Sequence, residues 1–266
     1  MACRNLEKAE AAAEEIRQKT AVDPSLVSIV QLDLSDLDSV RNCSRKIYAS
    51  ESRLDVLINN AGLGIGPVKT AKQGYEYTFA VNHLGHFLLT HLLLGLLKKS
   101  SPSRIINVSS VRHKNMTRTL DFSREPKLGS DMKYPGLFGY DASKLAQILH
   151  TNVLAKQLKE HGVVANSMHP GYVSSGIWYR DSHNKFAIIF TRLFGLLSTI
   201  IGRTSEDGAK TVIYMAADPA LEKVSGQYFE NVAISNQLSA FAKDPELAQK
   251  MWDVSSEMCG LTKKVE

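Results

Sequence analysis

A tyrosine and a lysine stand four residues apart in the second half of the chain, at Tyr140 and Lys144. On a helix this spacing places both side chains on one face, where their polar ends can meet. A phenol has a reference pKa of about 10, so it transfers protons near neutral pH only where a neighbouring cation favours the phenolate. The pair therefore indicates acid/base chemistry, with Lys144 lowering the pKa of Tyr140; a solvated helix face is the alternative.

Two consecutive hydroxyl side chains, Ser109 and Ser110, end the apolar run that precedes this pair. A serine hydroxyl beside the phenol can hold a substrate oxygen while Tyr140 moves a proton to or from it. A turn that ends a strand explains the two serines equally well, so the serines alone do not decide between the two interpretations.

Short β-rich runs alternate with longer helical patterns along the chain. The predicted helices are Leu6 to Lys19 with Asn5 as its cap, Asp36 to Ser50, Gln73 to Lys99, Tyr140 to Glu160, Glu206 to Ala217 and one at the C-terminus. The predicted strands are Leu26 to Leu32, Leu54 to Ile58, Arg104 to Ser109, Val163 to Met168 and Gln227 to Phe229. This alternation favours an α/β fold with a parallel sheet covered on both faces, in one domain over residues 1–266.

Polar and turn-forming residues follow the predicted strands. They are Asp33, then Asn59 to Gly62, then Ser109 and Ser110, then Pro170 and Gly171. In open parallel sheets, ligands bind beyond the carboxyl ends of the strands. The sequence therefore predicts that these residues share one edge of the sheet and form the ligand site there.

The composition is that of an ordinary globular protein of 266 residues, with 44% hydrophobic and 22% charged residues, which excludes disordered, collagenous and coiled-coil classes. Lys and Arg number 32 against 27 Asp and Glu, a net charge of +5 without a basic block, so an anionic cofactor suits the chain better than nucleic acid. Three dispersed cysteines, Cys3, Cys43 and Cys259, do not fit a disulfide framework and indicate a reducing compartment.

Several motifs occur in a familiar order. They are Asn59-Asn60-Ala61-Gly62, Val81-Asn82-His83-Leu84-Gly85, Asn107-Val108-Ser109-Ser110, Tyr140-xxx-Lys144 and Pro170-Gly171. Together they resemble the short-chain dehydrogenases/reductases, and Cys3-Arg4-Asn5, His169-Pro170-Gly171 and Trp252-Asp253-Val254-Ser255 resemble the retinol dehydrogenase branch of that family. The resemblance implies a Rossmann-like fold and an NADP-dependent oxidoreductase that interconverts an alcohol and a carbonyl on an apolar substrate, with retinol and retinal as the leading pair.

Catalytic roles follow from the same resemblance. Tyr140 would be the general acid/base, and Lys144 would both lower its pKa and bind the cofactor ribose. Ser110, which directly follows the strand, would polarise the substrate oxygen. Asn82 would complete the set by bending its helix around a water that links Lys144 to solvent; a polar residue tolerated inside a helix is the alternative.

The resemblance also implies a set of cofactor contacts. Arg4 follows the counterpart of the family's second strand, where an arginine suits the 2′-phosphate of NADP. Asp33 with Leu34 would contact the adenine, although Asp33 could equally cap the following helix. The remaining contacts are Asn60, Ala61 and Gly62 on the ribose side, and Pro170, Gly171, Val173 and Ser175 near the carboxamide.

The family's first strand and its glycine-rich TGxxxGxG turn, which receives the pyrophosphate, have no counterpart in this sequence. The run Gly62 to Gly66 has the wrong spacing and is interrupted by Pro67. We expect a sheet without its first strand, with unpaired edges, and a chain that is an N-terminally incomplete version of the family, either a short isoform or a partial gene model. This absence motivates a second hypothesis, a catalytically inactive, dehydrogenase-like binding or regulatory protein.

The segment 174–203 carries many apolar residues after Pro170-Gly171. It is either a pair of core helices or a lid that walls an apolar substrate pocket and touches a membrane surface. Three histidines, His83, His86 and His91, share one helix without further ligands, which favours packing roles over a metal site. We expect a location on the cytoplasmic side, at an endoplasmic reticulum or mitochondrial membrane where an N-terminal anchor exists; a homodimer stays open.

Overall fold

The computed structural model describes residues 1–20, 22–64, 69–116, 137–173 and 202–261. The strands are β1 (Ala2–Cys3), β2 (Val30–Gln31), β3 (Val56–Asn59), β4 (Ser103–Val108), β5 (Val163–His169), β6 (Tyr228–Glu230) and β7 (Ala233–Ile234). The helices are α1 (Leu6–Thr20), α2 (Leu37–Ser50), α3 (Tyr77–Phe79), α4 (Gly85–Lys99), α5 (Leu137–Gln157), α6 (Ser205–Ala217) and α7 (Pro245–Met258).

The strands form two separate sheets. β3, β4, β5 and β6 are parallel neighbours in that order, and the short β7 joins β6 antiparallel; β1 pairs with β2 in a parallel sheet of its own. The parallel α/β architecture predicted from the sequence is confirmed. β1 lies directly before Arg4, where the resemblance implied the family's second strand, whereas the antiparallel edge strand β7 was not predicted. Within the described ranges β3 pairs only with β4, and no strand pairing joins it to the sheet of β1 and β2. Ile58 on β3 is 43% exposed, so the outer edge of this strand is open.

Apolar residues on opposite faces of the central strands belong to two separate hydrophobic cores. Ile105 belongs to the larger core, which is built with residues of α2, α4, α5 and α7. Its neighbours Ile106 and Val108 join Met215 of α6 in the smaller core. Successive side chains of a strand point to opposite faces, so this division shows that helices cover both faces of the sheet.

The helical stretch Tyr77–Lys99 contains a π-helical turn. It begins at Tyr77 because the Glu76 carboxylate accepts hydrogen bonds from Thr78 N and Phe79 N, so the predicted start at Gln73 is wrong. A π-helical turn over Ala80–Leu84 separates α3 from α4. By length and composition alone the stretch could cross a membrane, but 78% of its most apolar window is buried inside the protein, as in a core helix.

Two predicted elements have different bounds in the structure. The strand predicted over Leu26 to Leu32 shrinks to Val30–Gln31, because Asp23 and Pro24 start a 3₁₀ turn that runs through Leu26. Helix α5 begins at Leu137, earlier than predicted, and ends at Gln157, short of the predicted Glu160. A 3₁₀ turn, Lys159–His161, and Gly162 at φ 65° then redirect the chain into β5.

Candidate active site

The carboxyl ends of β3, β4 and β5 lie level with one another, because Asn59 pairs with Asn107, and Val108 with Met168. Under this edge a chain of buried amides is fixed by hydrogen bonds. Asn59 Nδ2 donates to Asn107 Oδ1 at 2.8 Å, and Asn107 Nδ2 donates to Thr151 Oγ1 on α5 at 2.9 Å. These hydrogen bonds therefore fix the relative positions of the strands and α5, which carry the polar residues of this edge.

The two serines after β4 have different partners. Ser109 Oγ donates a 2.6 Å hydrogen bond to the backbone carbonyl of Lys144, which anchors the strand end to α5. Ser110 shares a side-chain hydrogen bond with Tyr140. Of the two serines, Ser110 therefore presents its hydroxyl to the phenol, and its catalytic role stays a prediction.

Tyr140 is buried, and burial has the largest effect on its pKa. Burial raises the pKa above the ordinary 10, while the hydrogen bond with Ser110 and the charge of Arg112 lower it and the charge of Asp141 raises it. The Lys144 Nζ lies 5.6 Å from the centre of the Tyr140 ring. In this structure the cost of burying a phenolate outweighs the neighbouring charges that lower the pKa. That Lys144 lowers the pKa of Tyr140 stays a prediction.

Lys144 is buried as well, and its ammonium is directed at the strand. Nζ donates to the backbone carbonyl of Val108 at 2.9 Å. Burial lowers the pKa of Lys144 from 10.5 to about 8, because a charged ammonium is less stable away from water. The side chain thus changes charge close to physiological pH.

An ion pair that the sequence analysis did not identify ties the two halves of the site together. Arg112 follows Ser110 by two residues, and Asp141 follows Tyr140 directly. The Arg112 guanidinium donates two hydrogen bonds to the Asp141 carboxylate, at 2.5 and 2.8 Å. His113 Nδ1 also contacts the Ser110 carbonyl oxygen at 2.7 Å. Opposite charges beside both proposed catalytic residues were the signal available in the sequence.

Asn82 lies in the π-helical turn, fully buried. Its side chain binds both backbone groups of Leu63, with Oδ1 accepting from N at 2.7 Å and Nδ2 donating to O at 3.0 Å, and Nδ2 also donates to Ser143 Oγ at 3.1 Å. Its backbone carbonyl accepts a hydrogen bond from Gln147 Nε2. Asn82 thus lies within a π-helical turn, and its amide fixes the loop after β3.

The remaining predicted contacts line the same edge. Asn60 and Ala61 are exposed directly after β3. A Cβ placed on Gly62 would lie 3.2 Å from Asn82 Oδ1 and 3.7 Å from Lys144 Nζ, so glycine lets the backbone approach both. After β5, Gly171 adopts φ 85°, a conformation that favours glycine. Pro170 and Gly171 are partly buried there, and Ser175 lies outside the described residues.

Arg4 lies just after β1, where Nη1 donates to the Tyr77 hydroxyl at 3.0 Å. Lys69 Nζ sits 4.1 Å above the centre of the same ring, so two cations converge on one phenol. Neither forms a salt bridge with a carboxylate in the described part of the chain. Lys69 and Tyr77 were not identified from the sequence.

Asp33 and Leu34 follow β2. The Asp33 carboxylate accepts from Ser35 N at 2.9 Å and from Ser35 Oγ at 2.6 Å, which makes a local turn. The alternative that Asp33 caps the next helix is wrong, because Asp36 caps α2 by accepting from Asp38 N. Leu34 is buried against Gly85, where even a Cβ would come within 2.6 Å of the Leu34 carbonyl oxygen.

These residues fit the two ends of a nicotinamide dinucleotide. Lys144, Tyr140 and the close backbone at Gly62 suit a ribose and the reacting ring, and the Arg4 and Lys69 cations suit a phosphate at the adenosine end. Between the two ends, the described ranges contain no glycine-rich strand-to-helix turn of the kind that receives a pyrophosphate.

The fold and the site define a short-chain dehydrogenase. The family model for short chain dehydrogenase matches residues 1–120 and 128–185, so the chain belongs to this family of oxidoreductases that use nicotinamide cofactors. Among curated proteins, retinol dehydrogenase 14 of Mus musculus is 41% identical over 272 residues, which cover 99% of this chain and 78% of that protein. Retinol dehydrogenase 11 of Homo sapiens is 40% identical over 98% of this chain and 77% of that protein.

Solved structures agree with this assignment. An uncharacterized protein from Mycobacterium Paratuberculosis superposes with a TM-score of 0.70 at 30% identity, covering 98% of this chain and 83% of that one. The NADPH-bound carbonyl reductase from chicken fatty liver matches with a TM-score of 0.56 at 20% identity, covering 86% of this chain and 82% of that one, a likeness of fold.

Proposed function

We propose that this chain, as a single domain over residues 1–266, is an NADP-dependent oxidoreductase that interconverts an alcohol and a carbonyl on an apolar, retinoid-like substrate. The observation that carries the proposal is the hydrogen-bonded Ser110 and Tyr140 pair beside the buried Lys144. The retinol dehydrogenases that share about two fifths of its sequence over nearly its whole length support the substrate class.

Each member of the site has a distinct role in the proposed reaction. In reduction, the Tyr140 hydroxyl gives its proton to the carbonyl oxygen, and in oxidation the phenolate takes the proton from the alcohol. Ser110 donates a hydrogen bond to the same oxygen. Lys144 binds the ribose hydroxyls, and Asn82 holds the loop at Leu63 and Gly62 that borders it. A bound nicotinamide supplies or accepts the hydride.

We propose NADP rather than NAD because of the charges at the adenosine end. Arg4 and Lys69 share Tyr77 and have no carboxylate partner among the described residues, so a 2′-phosphate would neutralise them. A guanidinium held in place by a phenol is partly preorganised, which reduces the entropy lost on binding. Asp33 and Leu34 would border the adenine on the other side.

We propose that the segment 174–203 covers the substrate. Nearly all of it lies outside the described residues, but its two ends meet beside Gly171: Val173 forms a β-bridge with Arg203, and Arg203 N donates to the Tyr172 carbonyl at 2.7 Å. The segment therefore leaves and rejoins the fold at the site edge. Ser175 at its start would meet the carboxamide, and its apolar side chains would suit a location against the cytoplasmic side of a membrane.

A second candidate function is an inactive, dehydrogenase-like binding or regulatory protein. The separation of β1 and β2 from the main sheet, and the exposed Ile58 at the β3 edge, favour it because the pyrophosphate of a dinucleotide would normally lie near this region. In this candidate, the site would bind a nucleotide or an apolar ligand without turnover.

One experiment separates the two candidates. The purified chain is incubated with all-trans-retinal and NADPH, retinol is quantified by chromatography, and NADPH binding is measured by its fluorescence in the same samples. The proposed enzyme forms retinol and oxidises an equal amount of NADPH. Binding of NADPH without conversion of retinal or any other apolar aldehyde would establish the inactive candidate instead.

A further inference from the structure

A cavity lies away from the candidate active site. It has a volume of about 600 Å³ and opens between the C-terminal end of α5, the turn that precedes β6 and the beginning of α7. Lys156 lines it, 12 residues beyond Lys144 on the same helix, which corresponds to about 18 Å along the helix axis. The cavity is therefore separate from the proposed ribose and nicotinamide contacts.

The charge of this cavity has one sign. Four lysines line it, Lys156, Lys159, Lys223 and Lys243, and no aspartate or glutamate is among the lining residues. Lys156 and Lys159 are close in sequence, at the end of α5 and in the turn that follows it, and the fold brings Lys223 and Lys243 to them from distant parts of the chain. None of them forms a salt bridge in the described part of the structure. Four uncompensated charges are a large concentration in a chain whose net charge is +5.

Hydrogen bonds to backbone groups hold the wall of the cavity in place. Gly226 N donates to the Ala165 carbonyl at 2.8 Å, and Ser225 Oγ accepts from Ala165 N at 3.0 Å, which fix this turn to β5. A Cβ on Gly226 would lie 3.3 Å from Ala155 Cβ, so the turn packs closely on α5. On the opposite side, Asn152 Nδ2 donates to the Ala242 carbonyl at 2.9 Å and positions the turn that carries Lys243.

The acidic neighbours of these lysines form no ion pair with them in the described part of the structure. Asp244 is next to Lys243, but its carboxylate accepts hydrogen bonds from Glu246 N and Leu247 N at the start of α7. Glu160 and Glu222, which adjoin Lys159 and Lys223, are not among the lining residues. The cavity therefore keeps a positive potential that a bound anion can use.

We propose that this lysine cavity is a binding site for a multiply phosphorylated ligand, such as a polyphosphorylated inositol ring. The ammonium groups of several lysines suit phosphate groups spread over a ring, because each acts as a mobile point charge. The volume lies in the range of small-molecule sites and exceeds what one inorganic phosphate fills. The ring could be a free metabolite or the headgroup of a membrane lipid.

Isothermal titration of the full chain with inositol trisphosphate tests the site. The double variant Lys156→Ala with Lys223→Ala removes two cations from the cavity. The control Lys46→Ala with Lys99→Ala removes two exposed lysines elsewhere, with the same change in net charge. We expect saturable binding, a Kd on the order of tenfold higher in the cavity variant, and little change in the control. Circular dichroism checks that all variants are folded.

Vesicle flotation distinguishes the two sources of the ligand. Phosphatidylcholine vesicles with and without phosphatidylinositol bisphosphate are mixed with the same proteins. Flotation that needs the phosphoinositide and is lost in the cavity variant identifies a lipid headgroup, whereas inositol trisphosphate binding without flotation identifies a free ligand. The proposal is overturned if the wild-type chain does not bind inositol trisphosphate, or if both double variants weaken binding equally.

Discussion

Arg112 and Asp141 form a bidentate ion pair, with nitrogen to oxygen distances of 2.5 and 2.8 Å, between the turn after Ser110 and the helix that carries Tyr140. The pair fixes the distance between the two hydroxyls of the proposed catalytic site. It also acts on the phenol electrostatically, because the charge of Arg112 lowers the pKa of Tyr140 and the charge of Asp141 raises it. The two partners therefore have the same structural role and opposite electrostatic roles.

Neutralising Arg112 and neutralising Asp141 should shift the pKa of Tyr140 in opposite directions. We expect Arg112→Gln to raise the pKa and Asp141→Asn to lower it, while both lower the free energy of unfolding by about 1–3 kcal/mol, because the pair is mostly buried. Ultraviolet titration of the phenol, with Tyr140→Phe as the reference, measures the shift. Shifts of the same sign in both variants would show that the pair acts only through structure.

The affinity for NADP should weaken above pH 8. Burial lowers the pKa of Lys144 to about 8, so the ammonium that binds the ribose is lost as the pH rises through that value, while Tyr140, with its raised pKa, stays protonated. We expect the Kd to increase by up to about tenfold per pH unit above this value. Fluorescence titrations at several pH values measure it. Lys144→Met should give a weaker but flat profile; a flat profile in the wild type would contradict the assignment.

The choice between NADP and NAD should depend on Arg4 and Lys69. We expect Arg4→Asp to raise the Kd for NADP on the order of ten- to a hundredfold, because a charge-assisted contact to the 2′-phosphate is lost, with little effect on NAD. Lys69→Ala should raise it by a few-fold. Lys72→Ala is the matched control, since its ammonium is already paired with Asp36 at 2.8 Å.

Comparing the binding of 2′-AMP and 5′-AMP isolates this contact. The wild-type chain should prefer 2′-AMP, and the preference should disappear in Arg4→Asp. Equal affinity of the wild-type chain for the two nucleotides would show that the two cations around Tyr77 do not select a 2′-phosphate.

The positions of the proposed catalytic groups could be predicted from the sequence because they depend on local rules. Tyr140 and Lys144 share a helix face through their spacing, and Ser110 follows a strand whose apolar run is plain. The pKa of Tyr140 could not be predicted in this way. The direction in which this pKa shifts depends on how deeply the fold buries the phenol, which is a property of tertiary packing.

Patterns in the sequence also could not predict elements that consist of a few residues or depend on distant contacts. β7 is two residues long, too short for a periodic pattern, and β1 is equally short, so only the resemblance pointed to it. A bend in the helix at Asn82 was implied by the family resemblance, but the contacts of Asn82 with Leu63 and Ser143 join residues far apart in sequence. The lysine cavity likewise gathers residues from separate elements.

A buried histidine should make the protein sensitive to acid. Both ring nitrogens of His150 are buried without a hydrogen-bond partner in the described ranges, and the ring packs against Phe87, Trp252 and His83. Burial, and then the charges of His83, His91 and His86, hold the pKa of His150 well below 6.5. The unfolded chain therefore binds protons more readily, and stability falls as the pH drops below 6.5.

His150→Phe should reduce this sensitivity. We expect the free energy of unfolding at neutral pH to be unchanged or higher by about 1 kcal/mol, because two unpaired buried nitrogens are removed. The loss of stability towards about pH 5 should become shallower, since one titrating group is gone. Urea denaturation at a series of pH values measures both effects. An unchanged pH dependence would mean that His150 is already protonated in the folded chain.

The central claim is that the Tyr140 hydroxyl transfers the proton to the substrate oxygen. Its most direct test is the turnover of retinal with NADPH by Tyr140→Phe, alongside Tyr214→Phe, which removes a phenol hydroxyl far along the chain from the site. We predict that Tyr140→Phe lowers kcat by about 10²–10⁴-fold while the Kd for NADPH changes little, and that Tyr214→Phe retains activity. A kcat for Tyr140→Phe within a few-fold of the wild-type value would contradict this account.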